Sequence, residues 1–225
     1  LMRLIENRTA NSNESWSVFG NAYPQIEPIK RLIIKTNCGV NYYNETRKTF
    51  EPKWLRDDVN KLTQSTAKNV DWVWTNTAQY NLDLGKHSFM ALAGLEAKKY
   101  HNESFFGYGT GLEIEDPNYI YLDNVSANKN VGSGASNYSM FSGFGKLNYT
   151  YDNRYLASVT IRRDASSRLS KDHNYDWFPS FSAGWRISRE KFMEPLSDWL
   201  ADLKLRASWG INGNDLIDNE AFYAK

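Results

Sequence analysis

Most of this chain repeats with a period of two residues, which restricts it to long β-strands whose two faces differ in chemistry. The clearest stretch is Leu32 to Tyr43. One face reads Leu32, Ile34, Thr36, Cys38, Val40, Tyr42, and the other Ile33, Lys35, Asn37, Gly39, Asn41, Tyr43. The same alternation runs through 16–27, 72–82, 88–98, 141–151, 155–164, 180–187 and 203–212. Asn76 interrupts it once, and in 88–98 the apolar Met90 and Leu92 fall on the otherwise polar face. Eight strands are expected.

The links between these stretches constrain the fold further. Pro28-Ile29-Lys30-Arg31, Asp83-Leu84-Gly85-Lys86 and Asp152-Asn153-Arg154 have hairpin-turn compositions. They alternate with polar stretches of about 25 residues (46–70) and about 37 residues (101–137). The link at 189–201 is intermediate, with room for one helical turn around Glu194-Pro195-Leu196. A soluble sandwich has no reason to gather its long loops at one end. A barrel crossing the outer membrane does, with short periplasmic turns and long extracellular loops. Strands of about 12–14 residues, rising roughly 3.3 Å each and tilted by roughly 40°, reach about 30–35 Å along the membrane normal. That spans an apolar band of about 25 Å.

Composition agrees with this reading. Aromatic residues make up 15% of a chain whose mean hydropathy is only −0.64. On the expected topology Trp16, Tyr42, Trp72, Trp74, Tyr100, Tyr138, Trp177 and Trp209 lie near extracellular strand ends. Tyr80, Phe89, Tyr149, Tyr151 and Tyr155 lie near periplasmic ends, giving a belt of rings at each interface. A net charge of +1 without a basic stripe argues against nucleic-acid binding. No apolar run is long enough for a transmembrane helix. The single cysteine, Cys38, reads as a small buried or lipid-facing side chain on an apolar strand face. A barrel protein must carry an export signal, and the chain opens at Leu1 without one, so truncation is expected.

Three stretches carry a family resemblance: Tyr155–Arg168, Trp177–Ser188 followed by Glu190-Lys191-Phe192-Met193, and Leu203–Asn214. Phe19-Gly20-Asn21-Ala22-Tyr23, Gly85-Lys86-His87 and Ala91-Leu92-Ala93-Gly94 also fit. Together they resemble the SusC/RagA family of TonB-linked outer-membrane proteins over nearly the whole chain. Two departures stand out: the family usually has Gly where Ala165 stands and Phe where Leu169 stands, in what should be an extracellular turn. The resemblance implies an all-β fold, a curved antiparallel sheet of about eight long strands forming part of a membrane-spanning barrel of about 22 strands. It makes 1–225 a partial barrel domain without the plug, the TonB-contacting segment or the export signal. It further implies import of glycans or peptides through a channel capped by a SusD-like surface lipoprotein and driven by the TonB–ExbB–ExbD complex. The alternative is a soluble β-rich carbohydrate-binding module.

Candidate site residues are few. Arg162, Asp164, Arg186, Lys204 and Arg206 fall on the polar faces of three neighbouring strands, where they would line the lumen. They would meet either the plug or the hydroxyl and carboxylate groups of a substrate; paired charges packed against a plug for structural reasons are the simpler role. Phe105, Phe106, Tyr108, Tyr119 and Tyr121 in the long link could stack on sugars, pack locally or meet the lipoprotein, and carry no assignment. His87, His101 and His173 are too scattered for a metal site. The acidic stretch around Asn212, Asn214, Asp215, Asp218 and Glu220 does not follow an EF-hand order and reads as a solvated loop. No nucleophile or phosphate-binding motif occurs, and no pair of acids stands out as a glycosidase would require. Neither an enzyme nor a cofactor is expected.

Overall fold

The computed structural model describes residues 10–55, 59–168, 175–196 and 199–213. Nine strands form one antiparallel sheet: β1 (Ser12–Ala22), β2 (Gln25–Ile29), β3 (Leu32–Glu51), β4 (Lys61–Leu84), β5 (His87–Thr110), β6 (Ala127–Tyr151), β7 (Tyr155–Ser166), β8 (Tyr175–Arg186) and β9 (Lys204–Gly210). Their order is β1-β3-β4-β5-β6-β7-β8-β9, with β2 also paired to β3. Each strand from β3 onward therefore lies beside the one before it, as short antiparallel connections require.

Several sequence expectations need correction. The expected first strand, 16–27, is split in two at Tyr23-Pro24. Pro24 has no N–H to give the ladder, although its carbonyl still accepts from the Thr36 N–H at 3.1 Å. The middle strands are also far longer than about 12–14 residues, since β3 to β6 have 20, 24, 24 and 25 residues. Their polar extensions take up most of the two expected long links, leaving only 52–60 and 111–126 as connections. Segments such as Lys61–Val70 read as loop because neither face is uniformly apolar, so the period-two signal disappears although the ladder persists. Ala165 also lies outside a turn: it sits in β7, paired with Phe141 on one side and Tyr175 on the other, so its lack of glycine's freedom costs nothing. Leu169, His173 and the acidic residues from Asn214 to Glu220 lie outside the described residues.

Two compact units divide the chain. The first draws on 1–20, 40–72 and 100–137, the second on 21–39, 73–99 and 138–225. The division points along the chain fall close to Tyr42, Trp72, Tyr100 and Tyr138, aromatics expected at strand ends that instead lie within continuous strands.

The first unit holds the hydrophobic cluster of buried residues: Ala10, Phe50, Leu62, Leu112, Ile120 and Val125. Asn60 pins its connections together from a fully buried position. Its side chain accepts from the Leu112 N–H at 2.7 Å and donates to the Leu112 carbonyl and the Glu115 carboxylate, both at 2.8 Å. A buried amide with both ends satisfied holds two connections in one geometry.

The second unit contains the short turns. Gly85 has a φ of 61° and Lys86 does not share it, the pattern of a type II′ hairpin with Gly at the first central position. Asp152 and Asn153 adopt φ values of 48° and 53°, a left-handed conformation that Asp and Asn tolerate better than other non-glycine residues. Successive turns are tied to each other, with the Asp152 N–H on the Lys86 carbonyl and the Arg186 N–H on the Arg154 carbonyl, both at 2.7 Å. The link expected to hold one helical turn forms two 3₁₀ segments, Ile187–Arg189 and Lys191–Leu196.

Candidate functional site

Strand register in the second unit sorts side chains into two chemically opposite faces. Leu147 opposes Val159, Val159 opposes Phe181 and Phe181 opposes Trp209; below that row Tyr149, Ala157, Ala183 and Ala207 align. On the other face Asn148, Ser158, Ser182 and Ser208 align, as do Lys146, Thr160, Ser180 and Gly210. Exposure is the reverse of a soluble protein. Along β7 the apolar residues Val159 and Ile161 are 56% and 47% exposed, while Ser158, Thr160 and Arg162 between them are partly covered. The buried hydrophobic cluster lies in the other unit and includes none of these apolar residues. A soluble module would seal such rows in a core, whereas a membrane β-barrel turns them toward lipid. Cys38 is exposed, in keeping with a place on the apolar face.

On the polar face the five candidate residues separate into three settings. Arg162 and Asp164 belong to one network. Arg162 Nε donates to Asp164 at 2.6 Å, and Arg162 Nη2 donates to Glu96 at 3.0 Å and to the fully buried Ser142 hydroxyl at 2.8 Å. The Thr75 hydroxyl donates to the second Glu96 oxygen at 3.2 Å, and the guanidinium lies 5.6 Å from the centre of the Phe144 ring. The outer edge of the Phe144 ring in turn lies against Gly94, where any Cβ would collide with it. Arg186 is occupied at the strand end, donating to the Asn153 side chain at 2.8 Å and pairing with Asp202 at 3.6 Å.

Lys204 and Arg206 share a concavity of about 490 Å³ with Lys146, floored by Ser158, Ser182, Ser208 and Asn148. None of its three cations has an ion-pair partner among the described residues. The sequence reading missed Glu96, Ser142 and Lys146. All three sit at alternating polar positions of β5 and β6, but which strand lies beside which is needed to bring them to Arg162 and Lys204.

The aromatics of the expected long link are partly engaged in the first unit. Tyr108 receives a hydrogen bond from Asn130 and lies under the Lys61 ammonium at 5.0 Å, Lys48 lies 4.8 Å from the Tyr121 ring, and Phe106 covers Gly132. No group of three His, Cys, Asp or Glu residues suited to a metal occurs among the described residues. No described helix is long and apolar enough to cross a membrane, which leaves crossing by strands untouched.

Proteins similar to this chain include TonB-dependent receptors and a peptide transporter. The chain is 31% identical over 224 residues to TonB-dependent receptor P26 of Formosa agariphila, covering 95% of this chain and 22% of that protein. It is 37% identical over 193 residues to TonB-dependent receptor SusC of Bacteroides thetaiotaomicron, covering 85% of this chain and 17% of SusC. It superposes on the structure of the RagAB peptide transporter with a TM-score of 0.82 at 28% identity, over 93% of this chain and 24% of that one. This chain belongs to the SusC/RagA family of TonB-dependent receptors. No family model matches it. As a SusC/RagA-type receptor it is an outer-membrane β-barrel protein, and it spans about a fifth of the length of the curated relatives it matches.

In a SusC/RagA-type barrel the short turns mark the periplasmic rim. There Glu190 accepts from the Tyr155 hydroxyl at 2.7 Å, the Trp185 indole N–H at 3.0 Å and Arg154 at 3.4 Å. These donors, Tyr155 first, hold the Glu190 carboxyl below the usual carboxylate range. A carboxylate with a depressed folded-state pKa contributes stability that is complete above its unfolded value near ~4.3 and disappears as pH falls through the folded value. Glu190→Gln is therefore expected to flatten the acid limb of the receptor's stability profile below about pH 4 while leaving its slope above pH 5 unchanged. Urea unfolding from vesicles across that range reads this directly, and an unchanged acid limb would show that the three donors do not favour the charged form.

Proposed function

We propose that the complete receptor imports oligosaccharides or oligopeptides across the outer membrane, with this chain supplying wall strands of its conduit. The observation that carries this reading is the hydrophilic face opposite the lipid-facing rows. There Lys146, Lys204 and Arg206 surround a floor of Ser and Asn side chains that can bond hydroxyl and carboxylate groups. The RagAB relative is named as a peptide transporter, and SusC and P26 as TonB-dependent receptors. Those names support energised uptake by a plugged barrel, and by the same likeness a SusD-like lipoprotein as its surface partner. Paired acids and bases along the lumen wall, as in the Glu96–Arg162–Asp164 network, would pack against the plug of the complete receptor.

Uptake of fluorescent oligopeptides and oligosaccharides should be compared in cells with and without the gene for the complete protein, and again after TonB is inactivated. Loss of uptake of one class in both backgrounds is the expected result. Unchanged uptake of both classes would overturn the proposal.

A further inference from the structure

The connection between β8 and β9 leaves large apolar side chains exposed. Trp199 is 74% exposed, Phe192 63% and Leu196 38%. Yet the connection is held in place. The Glu190 N–H bonds the Ile187 carbonyl at 2.9 Å, the Met193 N–H bonds the Glu190 carbonyl at 3.0 Å, and the Ser188 N–H bonds the Leu203 carbonyl at 3.2 Å.

Glu190 also fixes the side of the wall on which it lies. Tyr155 and Trp185 are cross-strand partners in the apolar row that continues through Leu205, and Glu190 binds the polar tips of both. The connection therefore leaves the strand end on the lipid-facing side. Arg189 and Lys191 flank Glu190, are exposed, and have no ion pair among the described residues.

We propose that this connection is a membrane-interface anchor, with Phe192, Leu196 and Trp199 seated in the phospholipid leaflet at the periplasmic rim and Arg189 and Lys191 at its headgroup phosphates. Lipid is the occupant because the patch is continuous with a face already turned to lipid. An indole with a polar edge beside long cations also suits the interfacial zone, where apolar bodies are covered and polar tips stay wet. The anchor would hold whatever the receptor imports. It would brace the rim at the one described turn too long to be held by hairpin geometry alone.

The test uses the complete receptor with its other cysteines replaced and one spin label introduced by Phe192→Cys, Leu196→Cys, Trp199→Cys or, as a polar reference, Asp202→Cys. Each label leaves two of the three anchoring residues in place. In phosphatidylethanolamine–phosphatidylglycerol vesicles, the labels at 192, 196 and 199 are expected to show an oxygen-to-nickel-chelate collision ratio several-fold above that at 202. Equal ratios at all four positions would overturn the anchor. So would shielding of the three from both reagents, since that would mean a protein surface covers the patch.

Discussion

Replacing Val159 with Arg is expected to destabilise the membrane-inserted receptor by about 2–4 kcal/mol, whereas Ser158→Arg costs far less. The two residues are adjacent in β7, so local strand propensity and distance from the turn are nearly the same for both. Only the face differs. Val159 sits in the row with Leu147, Phe181 and Trp209, four residues above the Tyr155 end of β7. At roughly 3.3 Å per residue and a tilt of about 40°, that places it about 10 Å into the bilayer, near the midplane of a 25 Å apolar band. A guanidinium there must either lose its hydration or drag water and headgroups inward. Ser158 lies in a row of Ser and Asn, where a long cation stays hydrated. Urea titration of the receptor refolded into phospholipid vesicles measures both variants. Equal penalties at the two positions would overturn the assignment of faces.

The second large effect is expected at Arg162, where Arg162→Met should cost about 2 kcal/mol. The substitution keeps most of the side chain's volume but strands Glu96 and Asp164 without their cation and deprives the buried Ser142 hydroxyl of its donor. Removing one partner of a fully buried pair costs roughly 3–5 kcal/mol; the side chains here keep between 21% and 31% of their surface exposed, and solvent screening lowers the figure. Adding Glu96→Gln to Arg162→Met should then be nearly free, because the carboxylate it removes is the stranded one. A double-mutant cycle should return a coupling of about 1 kcal/mol. Strict additivity would mean that the Glu96–Arg162 contact carries no energy in the folded receptor.

Much of this organisation was legible in the residues alone. Alternation at 155–164 located β7 to within two residues, alternation at 180–187 found the second half of β8, and both sorted their side chains onto the correct faces. A strand with one apolar and one polar face writes its geometry into the sequence. The turns at Gly85 and at Asp152-Asn153 were equally readable, because few residue types accept the left-handed backbone they require. By contrast, the upper parts of β3 to β6 were read as loops. In β4 and β6 Thr, Ser, Asn and Lys fall on both faces of those segments, and a strand whose two faces have the same chemistry leaves no periodic trace.

The candidate site divides in the same way. Arg162 and Asp164 could be placed on the polar face by counting along one strand, and so could Lys204 and Arg206. The sequence by itself therefore determined the strands that alternate, the tight turns, the face on which each charge lies and the family resemblance, because each of these is set within one strand or one turn. Only the tertiary structure decided that Arg162 meets Glu96 and Ser142, that Lys146 joins Lys204 and Arg206, and that Glu190 gathers Tyr155, Trp185 and Arg154. The reason is register: which residues stand opposite across strands far apart in the chain depends on turn lengths and on pairing along the whole ladder, and no single segment carries that information.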